Sequence, residues 1–204
     1  MNEKEKMLAG LPYKPWLDGL SDDRDACALK VYEYNILPPN RWGEREELLK
    51  SMLGYVGENV NIRTPFICEY GYPIEIGDGT FANYGLTILD AGGVKIGRNV
   101  QIAPNVSIYT SGHPVHPDTR NSFLEYAERV EIGDNCWLGG GVSIMPGVRI
   151  GENTVIGGGS VVTKDIPSGV IAAGNPCRVI REITDDDRGT FYKGIRATAA
   201  ADEE

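Results

Sequence analysis

Written in sixes, residues 132–167 read IGDNCW, LGGGVS, IMPGVR, IGENTV, IGGGSV, VTKDIP. An aliphatic residue opens every block, and a small or β-branched residue usually takes the fifth place. Earlier stretches keep the pattern: VGENVN from Val56, IGDGTF from Ile76, IGRNVQ from Ile96 and IAPNVS from Ile102. Such self-similarity marks a solenoid, in which each unit buries its aliphatic face only by stacking on the next. Six residues is too short for a helical repeat, so the units are short strands and turns. Gly and Asn between the aliphatic positions suit corners where the backbone takes positive φ. The body is therefore a parallel β-helix, and the general rule for parallel crossovers favours a right-handed coil.

Upstream the register changes near residue 54. Ser21 is placed to N-cap a helix whose first turn, Asp22-Asp23-Arg24-Asp25, puts acids at the positive end of the dipole. That helix runs through Ala26, Leu29 and Tyr32 to about Asn35, and Pro38-Pro39 stops it. A second helix is predicted from about Trp42 to Leu53, closed by Gly54 in a left-handed C-cap. Three segments result: a helical head over 1–54, a β-helix over 55–182 with a loop inserted at 110–129, and a tail over 183–204.

Bulk properties narrow the function. A chain of 204 residues suits one sizeable domain, or one domain with a small appendage. Its net charge of -9 argues against nucleic acid and anionic membranes as partners. The start, MNEKEKMLAG, lacks the apolar stretch of a signal peptide, and no segment reaches the ~18 apolar residues of a membrane helix. Cys27, Cys68, Cys136 and Cys177 are spread without CxxC or metal-ligand spacing, which predicts four reduced thiols, a cytoplasmic protein and no metal. Cys136 holds a repeat position suited to buried packing.

The repeat breaks at TSGHPVHPDTRNSFLEYAER, residues 110–129. An insertion in a strict solenoid becomes a loop on one face, often the functional one. Both histidines of the chain, His113 and His116, lie there. Imidazole has the right unperturbed pKa to accept a proton near neutrality, so a general base is a candidate role.

The tandem [LIV]-[GAED]-x-x-[STAV]-x blocks resemble the hexapeptide-repeat acyltransferases, which form left-handed β-helices of triangular section. In that fold three blocks make an 18-residue coil, the spacing of Ile132 and Ile150. KMLAGLPY, CEYGYPIEIGDGTFANYG, APNVSIYTSGHPVHPDTR and TKDIPSGVIAAGNPCRVIREI further resemble the maltose and galactoside acetyltransferases, from about Glu5 to Ile183. The resemblance implies direct acetyl transfer from acetyl-coenzyme A to a sugar hydroxyl in a ternary complex, with His113 as base and His116 a solvated loop residue. It places Asn83 on the acceptor hydroxyl, Glu69 and Glu125 along the acceptor pocket, and the Gly140 N–H at the developing oxyanion. It assigns Gly158, Thr163, Lys164, Arg178 and Arg181 to coenzyme A, whose phosphates need local cations on an acidic protein. It also implies a homotrimer with sites between subunits.

Some positions depart from the family. Acidic acceptor-binding residues of the galactoside enzymes fall at Pro15 and Ala91, with Asp18 and Asp90 nearby but out of register. Tyr13, Trp16 and Trp42 are candidates for an aromatic sugar platform or for core. An acetyltransferase of a non-sugar or amine acceptor, and a non-catalytic scaffold, are the competing readings. A γ-type carbonic anhydrase on the same coil needs three histidines around a metal, and this chain has two in all.

Overall fold

The computed structural model describes residues 1–189; of the tail expected over 183–204, residues 190–204 lie outside the described residues. Short parallel strands stack into three faces of a solenoid. Face I holds Tyr55–Val56, Ile74–Ile76, Val94–Ile96, Val130–Ile132 and Arg149–Ile150. Face II holds Asn61–Ile62, Phe81–Ala82, Gln101–Ile102, Trp137–Leu138, Val155–Ile156 and Val170–Ala173, with Arg178–Glu182 added antiparallel at its end. Face III holds Phe66–Cys68, Leu86–Leu89, Ser107–Tyr109, Ser143–Ile144 and Val161–Val162. The chain passes from face I to II to III and back to I.

The block-opening aliphatics are what stack. Ile132, Leu138, Ile144, Ile150, Ile156 and Val162 are all buried, and each strand's preceding residue points outward. Burying one such side chain is worth about 1.5–3 kcal/mol, which no single coil can realise without its neighbours. Corners between faces I and II hold Asn59, Asn99, Asn135 and Asn153 at positive φ. Their amides stack from coil to coil, with Asn135 Nδ2 donating to Asn153 Oδ1 at 2.9 Å.

Register separates two kinds of coil. Glu131 pairs with Arg149, Trp137 with Val155 and Ser143 with Val161, each eighteen residues on. In the first coils Tyr55 pairs with Glu75 and Phe66 with Leu86, each twenty residues on. The extra residues sit at the corner from face III to face I, in the turns after Cys68 and after Leu89. The 110–129 insertion leaves from that same corner as a hairpin. Ser111–Gly112 pairs antiparallel with Tyr126–Ala127, and a short helix, Pro117–Arg120, lies between.

Three helices precede the coil: α1 (Glu3–Leu8), α2 (Leu20–Ile36) and α3 (Trp42–Met52). Helix α1 begins with a capping box between Asn2 and Glu5. Two expected caps are corrected. Gly19, at φ 82°, is the N-cap of α2, because Asp18 and Gly19 turn through positive φ and start the helix before Ser21. Helix α3 ends with Leu53 extended, and Gly54 is not left-handed. A Cβ on Gly54 would overlap the Tyr72 carbonyl oxygen, so close approach rather than φ requires glycine there.

Helix α2 covers the open end of the solenoid. Tyr34 is fully buried and donates to the Ile62 carbonyl at 2.6 Å. Asn35 brackets Phe66, donating to its carbonyl and accepting from its N–H, both at 2.8 Å. The Arg178–Glu182 strand covers the other end of face II. The first edge of the stack and the last edge of face II are thereby blunted.

Candidate active site on two corners of the coil

The corner between faces III and I gathers the loop and the carboxylates. Asp90, 0 % exposed, accepts from the N–H groups of Glu69 (2.7 Å), Tyr70 (3.1 Å) and Gly71 (2.7 Å), and so fixes the turn that carries Glu69. Burial pushes the Asp90 carboxyl up while these N–H bonds oppose the shift. Glu69 itself is pushed up to about 7, first by burial, then by the nearby charges of Asp90 and Glu125.

Glu125 is reached from the head. Tyr13 and Glu125 form an isolated antiparallel bridge, N–H to C=O at 3.0 Å both ways, and the Tyr13 hydroxyl donates to Glu125 Oε2 at 2.7 Å. Burial holds the Tyr13 phenol well above its ordinary range, and the Glu125 carboxylate adds to this. Tyr13 is thus core with a polar tip, while Trp16 stands half exposed, edge-on to Phe123 of the loop at 6.0 Å. Arg24 closes the base of the corner, donating to the Tyr70 hydroxyl at 2.7 Å and the Pro15 carbonyl at 2.6 Å.

His113 follows the hairpin strand Ser111–Gly112 directly and is exposed. Three residues on, His116 is also exposed; it caps the Pro117–Arg120 helix, with Nδ1 accepting from the Asp118 N–H at 3.3 Å. Ala91 is buried with Tyr13 and Tyr70 in a small cluster.

A second set lies one face away, at the corner between faces II and III. Asn83 lines a cleft of about 150 Å³ with Phe81, Gln101, Ala103 and Trp137, the last 55 % exposed. Its φ is not positive, and its Oδ1 accepts from the Tyr84 N–H at 2.8 Å. The neighbouring coils place Gly139 and Gly157 in register with Asn83, one step before Gly140 and Gly158. A Cβ on Gly139 would overlap the Gly158 backbone nitrogen, so these coils approach more closely than any side chain permits. The Gly140 carbonyl accepts from Gly159 at 2.8 Å, whereas its own N–H has no protein partner among the described residues.

The cations divide. Thr163 and Lys164 are exposed after Val161–Val162, at the III/I corner of the last coil, and Lys164 has no ion pair among the described residues. Arg178 donates to the Cys177 carbonyl at 2.8 Å and faces no carboxylate among the described residues. Arg181 is committed to Asp187 through two bonds of 2.7 and 2.8 Å.

One chain therefore brings His113, Glu69 and Glu125 to one corner and Asn83, Gly140 and Gly158 to another. The roles of Tyr13, Arg24 and Asp90 in shaping the first corner carried no local sequence signal. Outward rungs differ by face as well. Face I presents Glu75, Lys95, Glu131 and Arg149 in successive coils. Faces II and III present Asn61, Phe81, Gln101, Trp137 and Val155, and Ile67, Thr87, Ser107, Ser143 and Val161, without a charge until the terminal strand of face II, which carries Arg178, Arg181 and Glu182.

Comparison with known proteins follows the same division of the chain. The maltose acetyltransferase hexapeptide capping motif matches residues 6–57, and the bacterial transferase hexapeptide (six repeats) matches residues 129–164. The chain is 44 % identical over 196 residues to a galactoside O-acetyltransferase of Escherichia coli (strain K12), covering 96 % of this chain and 97 % of that one. Among solved structures, a galactoside acetyltransferase in complex with coenzyme A is similar at a TM-score of 0.94 and 44 % identity, over 98 % of this chain and 100 % of the other. A maltose O-acetyltransferase from Clostridium difficile 630 is similar at 0.89 and 47 % identity, over 91 % and 99 %. The solenoid is the left-handed β-helix of these relatives.

Proposed function

This chain belongs to the sugar O-acetyltransferases of the hexapeptide-repeat class, and we propose that it moves an acetyl group from acetyl-coenzyme A to a sugar or glycoside hydroxyl with His113 as general base. The observation that carries this reading is the pairing of two half-sites. The lone long insertion delivers an exposed imidazole to a corner lined by carboxylates, and the next corner offers an open N–H beside side-chain-free backbone.

The residues present fit coenzyme A. Glycines 139, 140 and 158 leave a surface against which a narrow arm can lie, and the uncommitted Lys164 and Arg178 supply cations for its phosphates. Arg181, already paired with Asp187, is the weakest member of that set. When bound, acetyl-coenzyme A supplies the acetyl group as an activated thioester. His113 then takes the proton of the acceptor hydroxyl as its oxygen attacks the thioester carbonyl, and as the C–S bond breaks that proton passes to the departing coenzyme A thiolate, all within a ternary complex. Asn83 orients that hydroxyl through its amide, and the Gly140 N–H faces the developing negative charge. Glu69 and Glu125 accept hydrogen bonds from the acceptor's other hydroxyls. With Ala91 buried and Asp90 occupied by backbone N–H groups, these two glutamates replace the carboxylates of the galactoside pattern at Pro15 and Ala91.

Because His113 and Asn83 stand a face apart in one chain, we read the working unit as a homotrimer in which faces II and III meet between subunits. The uncharged outward rungs of these faces, up to the terminal strand of face II, support this, since a packed interface depletes charge. Four unpaired thiols support a reducing, cytoplasmic setting; among the described residues no helix is long and apolar enough to cross a membrane. Release of coenzyme A from acetyl-coenzyme A, measured over a panel of maltose, glucose, galactosides and amino sugars, tests the reading. Release that stays at background with every glycoside overturns it; acetylation of the amino sugar at nitrogen alone transfers the assignment to the amine class.

A further inference from the structure

Two of the four cysteines meet across the seam between head and coil. Cys27 lies on α2 and Cys68 ends the first strand of face III, yet their Sγ atoms are 3.6 Å apart. They are 4 % and 7 % exposed, and Met52 of α3 brings its Sδ to 3.9 Å from Cys68 Sγ. On both sides of the pair α2 is already tied to the coil, by Asn35 on Phe66 and by Arg24 on Tyr70. The backbones are therefore held while the sulfurs face each other. A disulfide needs about 2.05 Å between sulfurs, so the remaining gap is about 1.5 Å. Cys136 and Cys177 are different: Cys136 Sγ contacts the Gly151 carbonyl at 3.1 Å, and neither meets another sulfur among the described residues.

We propose that Cys27 and Cys68 are an oxidation site, forming a reversible disulfide that staples the head helix to the first coil beside Glu69. The oxidant is a peroxide, small enough to reach a nearly buried thiol through local opening of α2. The Cys27 thiolate sulfur attacks one peroxide oxygen; the O–O bond breaks, hydroxide leaves, and Cys27 becomes a sulfenic acid. Sulfur of Cys68 then attacks Cys27 Sγ, forming S–S and breaking S–O. The Cys68 proton joins the departing hydroxide as water. In sum, two thiols and one hydrogen peroxide give one disulfide and two waters. Cys27 is the first to react because the bond from the Cys68 thiol favours its thiolate, and the same bond with burial pushes Cys68 up.

The test treats the purified full chain with hydrogen peroxide and reads intact mass and peptide maps without reductant. The expected result is a mass loss of two hydrogens, a peptide pair joining Cys27 to Cys68, reversal by dithiothreitol, and a thermal midpoint raised by about 5 °C or more. The link persists in a Cys136→Ser/Cys177→Ser double variant and disappears in Cys27→Ser and Cys68→Ala. Accumulation of Cys27 sulfinic acid with no link overturns the proposal, as does a link to any other cysteine or to a second chain. The wild-type map decides the matter even where a core cysteine variant folds poorly.

Discussion

The two corners that flank face III are built on opposite terms. At the II/III corner the coil keeps its period, and small residues let successive turns pack backbone to backbone, as Gly139 does on Gly158. At the III/I corner the period lengthens to twenty in the early coils and then gives way to the 110–129 hairpin. A solenoid admits extra chain only outward, since its inward positions are filled by stacked side chains, most of them aliphatic. The regular corner thus offers close approach and free backbone N–H. The irregular corner offers side chains with room to be specific: His113, Glu69 and Glu125.

The largest effect expected from that contrast is on turnover. His113→Ala should lower kcat by about 10²–10⁴-fold while calorimetric binding of coenzyme A is kept; near-normal turnover would take the chemistry away from the irregular corner. A mixture tells whether the corners meet between subunits. His113→Ala and Asn83→Ala chains, each inactive alone, should regain roughly a quarter of wild-type rate when co-assembled, because interfaces pairing both intact residues arise at random. No regain would place both residues in one subunit's site.

Smaller effects sharpen the assignment. Arg178→Ala or Lys164→Ala should raise KM for acetyl-coenzyme A about tenfold with the acceptor KM unmoved, and Arg181→Ala should do less because Asp187 already holds it. The smallest is a pH effect on stability. The folded Glu69 carboxyl keeps its proton to about pH 7, against an ordinary value of 4.5. Its contribution to stability is full below pH 4.5 and is lost as pH rises to about 7. Denaturant titrations at pH 5 and pH 8 should therefore converge in Glu69→Gln relative to wild type; an unchanged difference would assign the dependence to another group.

Much of this is legible in the sequence. Ile132 and Ile150 announce an eighteen-residue coil because a buried strand position recurs wherever the backbone closes a turn, and the register confirms it. The twenty-residue period of the earlier coils was not anticipated and emerges only from the pairing of Ile76 with Ile96. Caps were less legible: Ser21 has the right chemistry for an N-cap, but the Asp18-Gly19 turn decides where α2 starts. Asp90 reads as a stray acidic residue, and only three converging N–H groups reveal it as the clamp under Glu69.

The sequence by itself determined a repeating coil, its single long interruption and the histidine within it, because strand periodicity and insertions are local properties of the chain. Only the tertiary structure decided that Tyr13 reaches Glu125, that Cys27 meets Cys68, and that His113 and Asn83 stand on different corners. Those relations are set by how the coils stack and where the head packs on them, and no spacing along the chain encodes that until the aliphatic rungs have stacked.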